Sequence, residues 1–380
     1  MAKVWIGYGL YPINKFMVDG VLNDFEFRKY VQKIANAGAN CWRLLPFSVW
    51  GVSSVNEVFS PYQVAGGKFD LTKWRPEYFD TMRKVFKILR QYGILPIFDL
   101  FDNCQLGQDT KRFSPWANNV QGVSSFYVPA ADKFSRLWIE KCLQEFKGIA
   151  YGQCNEGADG IVRMAGAVIN PALNVAGLMP WVFGATYKTS GRETLLALKK
   201  QAEIYFGEKR SRFGTMRPTH GCTNEKDDQF YHPLGMWGGG HPICILFEDD
   251  GVSDGDSACD RNMDGNKVWA RPSASTWNNM AKIAIRDKKV ASIGFIHSPE
   301  KGEDIKCQVT TIAAISKAYH EITGEWPKNW QRWPAPIEKV IEQPEPIEVE
   351  PETYTPSFWS WLKAVLEYLF NKIFRKEGEN

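Results

Sequence analysis

Short apolar runs alternate along residues 4–323 with stretches in which apolar side chains recur every three or four positions. A short apolar run is typical of a buried strand, and the longer spacing is typical of an amphipathic helix. The predicted strands are Val4–Tyr8, Cys41–Phe47, Ile94–Phe101, Gly148–Cys154, Met179–Ala185, Arg212–His220, Ile243–Glu248 and Val290–His297. The predicted helices are Phe25–Ala37, Tyr78–Tyr92, Lys133–Phe146, Thr194–Phe206, Thr276–Asp287 and Val309–Thr323.

Strands that alternate with helices favour an α/β fold with a parallel sheet. Eight strands with helices between most of them, in about 320 residues, match the (β/α)8 TIM barrel with long loops. A doubly wound sheet is the alternative fold. It would place a Gly-x-Gly-x-x-Gly turn after the first strand, and that turn does not occur there. We therefore predict a TIM barrel over residues 1–333.

The composition changes at residue 334. Residues 334–356 contain six Pro and six Glu, which predicts a stiff, solvated linker. Residues 357–374 are dense in large apolar side chains but include Lys363, Glu367 and Lys372, so they make a poor membrane-spanning helix. We predict that residues 357–380 form an amphipathic helix that contacts a membrane surface or a partner protein. Packing of this helix against the barrel is the alternative.

Charge and cysteine spacing exclude several classes of protein. The formal net charge is +3, which is too balanced for a nucleic-acid binder. The eight cysteines never approach Cys-x-x-Cys spacing, so a zinc ribbon or redox motif is not indicated. The N-terminus lacks a basic segment followed by an apolar one. We expect synthesis in the cytoplasm, followed by release through lysis or by membrane association through the C-terminal helix; the final location stays open.

Two glutamates occupy the positions at which a TIM barrel carries its chemistry. Catalytic residues lie at the carboxyl ends of the strands, and Glu156 follows the fourth predicted strand while Glu248 ends the seventh. Glycoside cleavage needs one carboxylic acid to protonate the leaving oxygen and one carboxylate to attack the anomeric carbon. Arg43, on the second strand, could keep the attacking carboxylate ionised, and pairing of Arg43 with a core carboxylate is the alternative. Asn155 could hydrogen-bond the sugar 2-hydroxyl.

Four segments resemble the clan of retaining barrel glycoside hydrolases that includes the family-five cellulases and mannanases. The resemblance covers about residues 4–323 and rests on Gly38–Arg43, Gly93–Leu100, Asn155–Gly157 and Ile245–Glu248. It implies that Glu156 is the acid/base and Glu248 the nucleophile. Retention of configuration would then follow, with the two carboxyl groups about 5–5.5 Å apart.

The sequence departs from the clan at the ends of other strands. The His that is common after strand three is replaced by the region of Asp99 and Asp102. His220 matches the strand-six His, but Cys222 stands where Tyr is usual, and His297 lies near the place of a missing Trp. Asp102, His220 and His297 are therefore candidate substrate contacts, with packing as the alternative for both histidines. These departures leave the substrate open.

Three tryptophans lie in predicted loops at the same end of the barrel. Indole faces stack on the C–H faces of pyranose rings, so Trp50, Trp116 and Trp237 are candidate sugar platforms. The alternative is that each of them packs its loop against the barrel.

The acidic loop after the seventh strand contains half of a calcium-binding pattern. Asp260, Asn262 and Asp264 match the Asp-x-Asn-x-Asp-Gly spacing, but Arg271 stands where the pattern needs a bidentate carboxylate. A structural Ca²⁺ is one interpretation, and a solvated acidic loop is the other. No cofactor is required for the predicted reaction.

The sequence therefore predicts a retaining glycoside hydrolase that cleaves a β-linked poly- or oligosaccharide. The alternative is a barrel that binds glycan without turnover and is tethered to a surface or partner by its C-terminal helix. A carbohydrate is the expected partner in both cases.

Overall fold

A computed structural model describes most of the first half of the chain and selected elements of the second. All described residues belong to one compact unit, Met1–Pro336. The predicted linker and C-terminal helix lie outside them, and no helix among them is long and apolar enough to cross a membrane. The described residues are 5–10, 13–18, 20–47, 49, 52–108, 110–155, 160–178, 180–182, 197–198, 200–201, 204–205, 212–213, 243–248, 261–262, 268–269, 278, 281–282, 285, 290–297 and 305–327.

Eight strands form one parallel sheet that closes on itself. Each strand pairs with its neighbours in chain order, and the last strand pairs in parallel with the first. The predicted α/β class with a parallel sheet is confirmed, and each of the eight strands of this sheet overlaps a predicted one. The strands are β1 (Trp5–Leu10), β2 (Cys41–Leu44), β3 (Leu95–Asp102), β4 (Ala150–Asn155), β5 (Pro180–Val182), β6 (Arg212–Phe213), β7 (Ile243–Glu248) and β8 (Val290–His297).

The described helices lie between the early strands and after the last one. They are α1 (Asp24–Asn36), α2 (Pro76–Gln91), α3 (Asp132–Glu145), α4 (Gly160–Met164), α5 (Asn170–Val175) and α6 (Ile305–Thr323). Four of them match predicted helices closely. The pair α4 and α5, joined by a π-helical turn at Ala165–Ile169, was not predicted. Gly166 and Pro171 inside this stretch resemble helix breakers, but Pro171 stands in the first turn of α5, where a backbone N–H is not needed.

Local chemistry fixes both ends of α1. The Asn23 side chain accepts a hydrogen bond from the Glu26 backbone N–H at 3.2 Å, which caps the first turn. The helix ends before Gly38, whose φ of 106° favours glycine. A Cβ at Gly38 would lie 2.2 Å from Ser316 Oγ of α6, and that hydroxyl donates to the Ala37 carbonyl at 2.8 Å. The end of α1 is therefore docked closely on α6.

The strands present one face to the helices and the other to the barrel interior. On β2, the centroid of the Trp42 ring lies 5.9 Å from those of Phe27 and Tyr30 on α1. On β3, the Phe98 ring lies 6.2 Å from that of Trp138 on α3. Because side chains alternate along a strand, Arg43 and Asp99 belong to the opposite, interior face. The fold thus encloses two charged side chains in the barrel.

A hairpin that the sequence analysis did not predict lies in the connection between β2 and α2. It pairs Tyr62–Ala65 with Lys68–Trp74 in antiparallel fashion. Asp70 accepts hydrogen bonds from the Thr72 backbone N–H (3.0 Å) and hydroxyl (2.7 Å) and from Gln121 Nε2 (2.7 Å). Asp70 thereby ties the hairpin to the loop after β3. These hydrogen bonds, the Thr72 side chain first among them, lower the pKa of Asp70 to about 2.

Replacing Asp70 by Asn should destabilise the protein and change its acid sensitivity. The free energy of unfolding at pH 7 should fall by about 1–2 kcal/mol, since hydrogen bonds to a charged acceptor are lost. A lowered folded-state pKa contributes stability above the ordinary value of 3.8, and this contribution is lost as the pH falls toward about 2. Denaturant unfolding between pH 2 and pH 7 measures both effects.

The matched control is Asp80→Asn on α2, since the Asp80 side chain is 69% exposed. Its unfolding free energy should stay within about 0.5 kcal/mol of wild type. Equal effects of the two substitutions would contradict the role of Asp70.

Candidate active site

The carboxyl ends of the parallel strands meet at one edge of the barrel, which is where β/α barrels place their chemistry. Arg43 lies near the end of β2, and Asp102 ends β3. Asn155 ends β4 and pairs in register with Asp102, so the next residue in the chain, Glu156, follows β4 directly. Glu248 ends β7.

Strand register relates Arg43 to the end of β7. Gly9 of β1 pairs with Arg43 on one side and with Ile296 of β8 on the other. Ile296 in turn pairs with Glu248. Residues that pair in register lie on the same face of a sheet, so position 248 belongs to the face that holds position 43.

A buried ion pair occupies the interior at this end of the barrel. Arg43 is 3% exposed and Asp99 is fully buried. Asp99 Oδ2 accepts a hydrogen bond from Arg43 Nε at 2.8 Å and lies 2.7 Å from Arg43 Nη2. Burial raises the pKa of Asp99 to about 6, although the Arg43 charge lowers it. One partner of Arg43 is thus a core carboxylate, which is the alternative that the sequence left open for this residue, although the sequence did not single out Asp99 as that carboxylate.

Asp102 forms a second buried polar contact. Gln105 Nε2 donates to Asp102 Oδ2 at 2.7 Å and to the Phe47 carbonyl at 2.5 Å. Asp102 is 1% exposed, so its side chain is enclosed by protein. In the structure this carboxylate holds the turn after β3 against the end of β2, and a direct contact of Asp102 with the substrate stays a prediction.

The thiol of Cys154, near the end of β4, lies within the electrostatic influence of the carboxylates Asp99 and Asp102. It is a buried, reduced thiol, and its sulfur lies 3.9 Å from the Tyr127 hydroxyl. Burial first, and then the charges of Asp102 and Asp99, raise the pKa of this thiol well above its ordinary value. The buried carboxylates therefore act electrostatically on a residue two positions before Glu156. The same environment keeps Cys154 protonated and unreactive.

Trp116 is packed into the protein and does not form a sugar platform. It is fully buried, with ring centroids 5.5 Å from Phe101, 6.0 Å from Tyr62 and 6.1 Å from Phe126. A ring covered by side chains has no face left for a pyranose, so the stacking prediction is wrong for this residue. The alternative, in which the Trp packs its loop against the barrel, is what the structure shows.

The remaining predicted site residues are described only by their backbone or not at all. The backbone of Asn155, Glu248 and His297 lies at the ends of β4, β7 and β8. Asn262 lies in a short antiparallel hairpin, opposite Val268. No group of three metal-binding side chains occurs within the described ranges. Residues outside the described ranges are Trp50, Glu156, His220, Trp237, Asp260 and Asp264.

Comparisons with known proteins identify the fold. No family model matches the chain, and no curated protein matches its sequence. An endo-1,4-β-mannanase from Rhizomucor miehei is similar in structure, with a TM-score of 0.51 and 11% identity over 83% of this chain and 95% of that one. A glycoside hydrolase family 5 mannosidase from the same organism gives a TM-score of 0.52 and 9% identity over 84% and 95% of the two chains.

A third similar structure is a GH5-4 broad specificity endoglucanase from an uncultured bacterium. Its TM-score is 0.52, with 11% identity over 84% of this chain and 94% of that one. The chain therefore has the fold of family-five glycoside hydrolases, and the resemblance inferred from the sequence is confirmed at the level of fold.

Replacing Trp116 by Ala should act on stability. Removing a fully buried indole should lower the free energy of unfolding by about 3–5 kcal/mol. The control is Trp326→Ala, because Trp326 is 59% exposed and its loss should change stability by less than about 1 kcal/mol. Thermal or denaturant unfolding measures both. Unchanged stability in Trp116→Ala, together with weaker glycan binding, would restore the sugar-platform interpretation.

The ion pair predicts a non-additive effect on stability. Asp99→Leu alone leaves the Arg43 charge buried without its carboxylate and should lower the free energy of unfolding by about 3–5 kcal/mol. Combining it with Arg43→Met should recover most of that loss, because apolar side chains of similar volume replace both charges. Denaturant unfolding of both single variants and the double variant gives the coupling free energy. Additive losses would show that the two charges do not depend on each other.

Proposed function

We propose that this protein is a retaining glycoside hydrolase that cleaves β-linked poly- or oligosaccharides on a (β/α)8 barrel. The observation that carries the proposal is a closed parallel sheet in which one strand ends on a glutamate and another is followed in the sequence by a glutamate. Glu248 ends β7, and Glu156 follows the last residue of β4. A fold shared with family-five glycoside hydrolases supports the assignment, since that clan uses glutamates at these two strand ends.

The proposed reaction has two steps. In the first, the Glu248 carboxylate forms a bond to the anomeric carbon while Glu156 donates its proton to the departing glycosidic oxygen. In the second, Glu156, now ionised, takes a proton from water as the water oxygen attacks the anomeric carbon and the bond to Glu248 breaks. Each step inverts the anomeric centre, so the configuration is retained overall.

The two glutamates need different environments. Glu248 must be ionised to attack, and the Arg43 charge favours that state because opposite charges lower a carboxyl pKa. Glu156 must carry a proton when the substrate binds, and the buried carboxylates Asp99 and Asp102 disfavour a further negative charge near the end of β4. Asn155 is proposed to hydrogen-bond the sugar 2-hydroxyl.

The substrate is proposed to be a β-linked hexose polymer or oligomer. The similar structures are described as a β-mannanase, a mannosidase and an endoglucanase. A panel of mannan, β-glucan, xylan and peptidoglycan, with product analysis, identifies the sugar. NMR of the first product released determines its anomeric configuration, and an inverted product would exclude the retaining mechanism.

Substituting each glutamate by Gln tests the mechanism. Glu156→Gln and Glu248→Gln should each lower turnover by about 100-fold or more, because a positioned acid or nucleophile is lost. The matched control is Glu140→Gln, since Glu140 is exposed on α3, and it should keep wild-type turnover. Wild-type turnover in both site variants would exclude the two-glutamate mechanism.

Azide rescue then assigns the two roles. Glu248→Gly should recover activity with azide and yield an α-glycosyl azide, because azide attacks the β-glycoside directly. Glu156→Gly should yield the β-glycosyl azide, because azide attacks the α-linked glycosyl enzyme instead of water. The opposite pairing of products would exchange the roles. Glycan binding without turnover of any substrate in the panel would favour the alternative, a non-catalytic glycan-binding barrel.

A further inference from the structure

Asp99 contacts Arg43 from one side only. Its Oδ2 accepts from Arg43 Nε and lies beside Nη2, whereas its Oδ1 has no hydrogen-bond partner among the described residues. A carboxylate that only neutralised the guanidinium would favour the bidentate arrangement that uses both oxygens. The observed arrangement instead fixes the plane of the guanidinium from its Nε–Nη2 side, so that Asp99 does not occupy the Nη1 side.

The burial of the pair makes this orientation rigid. Both side chains are almost fully enclosed, and each lies on the interior face of its strand. A buried guanidinium cannot exchange its carboxylate for water without a large loss of free energy. Asp99, which lies 56 residues further along the chain, therefore helps to fix the position of the Arg43 guanidinium.

The strand register relates the position of Arg43 to that of Glu248, the proposed nucleophile. Only Gly9 and Ile296 separate Arg43 from Glu248 along the paired strands. Gly9 has no side chain, so at this position β1 adds no bulk between them. The Arg43 guanidinium is therefore held on the sheet face, and at the level of the strand register, at which β7 ends on Glu248.

We propose that Asp99 is a positioning residue for the glycosidase reaction: it orients Arg43 so that the guanidinium can pair with the nucleophile Glu248. This inference rests on the proposed function and adds a residue to it. Asp99 itself does not touch the substrate. It acts on the rate of the chemical step through the direction of the Arg43 guanidinium.

Asp99→Asn tests the proposal on the full-length protein. The Asn amide keeps the size of the side chain but replaces the charge that anchors the guanidinium. Displacing a group that stabilises the reacting atoms by about 1 Å lowers kcat by roughly 100-fold, while KM should change little because no substrate contact is lost. Activity is measured per folded molecule on an aryl β-glycoside of the sugar that the panel identifies.

The matched control is Asp70→Asn, which removes another buried, multiply hydrogen-bonded carboxylate. It should reduce stability and leave kcat and KM of the folded enzyme unchanged. Wild-type kcat in folded Asp99→Asn would overturn the proposal and leave a structural role for Asp99.

A second test does not need Asp99→Asn to fold. In Arg43→Ala, Asp99 can take up a proton and so become neutral. In the double variant Arg43→Ala with Asp99→Asn, both charges of the pair are removed. Neither variant therefore contains a buried guanidinium without a carboxylate. Added guanidinium chloride, well below denaturing concentrations, should restore kcat in Arg43→Ala because Asp99 anchors the added ion. It should restore little in the double variant. The same response of both variants to guanidinium would overturn the proposal.

The outcomes separate this inference from the proposed function. If Glu156→Gln and Glu248→Gln leave turnover unchanged, the two-glutamate mechanism fails. If those substitutions abolish turnover while folded Asp99→Asn keeps wild-type kcat, the mechanism stands and only the role of Asp99 fails.

Discussion

The enclosure of the Arg43–Asp99 pair inside the barrel is the interaction on which the site depends. Neither charge can leave water alone, because an unpaired buried ion loses several kcal/mol of solvation. The two residues come from neighbouring strands and share the interior face only if β2 and β3 are adjacent, parallel and in the observed register. The helices that pack on Trp42 and Phe98 hold the same strands from outside. The fold and the electrostatics of the site are thus fixed together.

Much of the fold could be predicted because its signals are local. Ile243–Glu248 and Val290–His297 are found with the predicted bounds, since apolar runs of this length define buried strands directly. The end of α1 follows from Gly38, which adopts a positive φ. The two glutamates were placed at strand ends from the same strand predictions, so that part of the candidate site also follows from local pattern.

The rest depends on contacts that a local pattern does not contain. The hairpin at Tyr62–Trp74 is held by Asp70 and Gln121, which are 51 residues apart. The sequence around Trp116 is equally consistent with a sugar-binding Trp and with a core Trp. Only the packing of its ring on Phe101 shows that Trp116 is a core residue. Likewise, Arg43 could have paired with any carboxylate. The sequence did contain a signal that Asp99 is a buried ion-pair partner. Asp99 is a charged residue two positions after Ile97, so both side chains lie on the same face of β3, and Ile97 is buried.

The end of β3 links the packing of a loop to the charges of the site. Phe101 lies between two aspartates and packs on Trp116 and Phe126. This apolar residue gives the loop after β3 a core of its own. The side-chain polar contacts of β3 described above are made by the carboxylates of Asp99 and Asp102. Asp99 is enclosed beside the Arg43 guanidinium, so each of these two opposite charges stabilises the buried position of the other. The same four residues at the end of β3, Asp99–Asp102, therefore determine both how the following loop packs and where the buried charges lie.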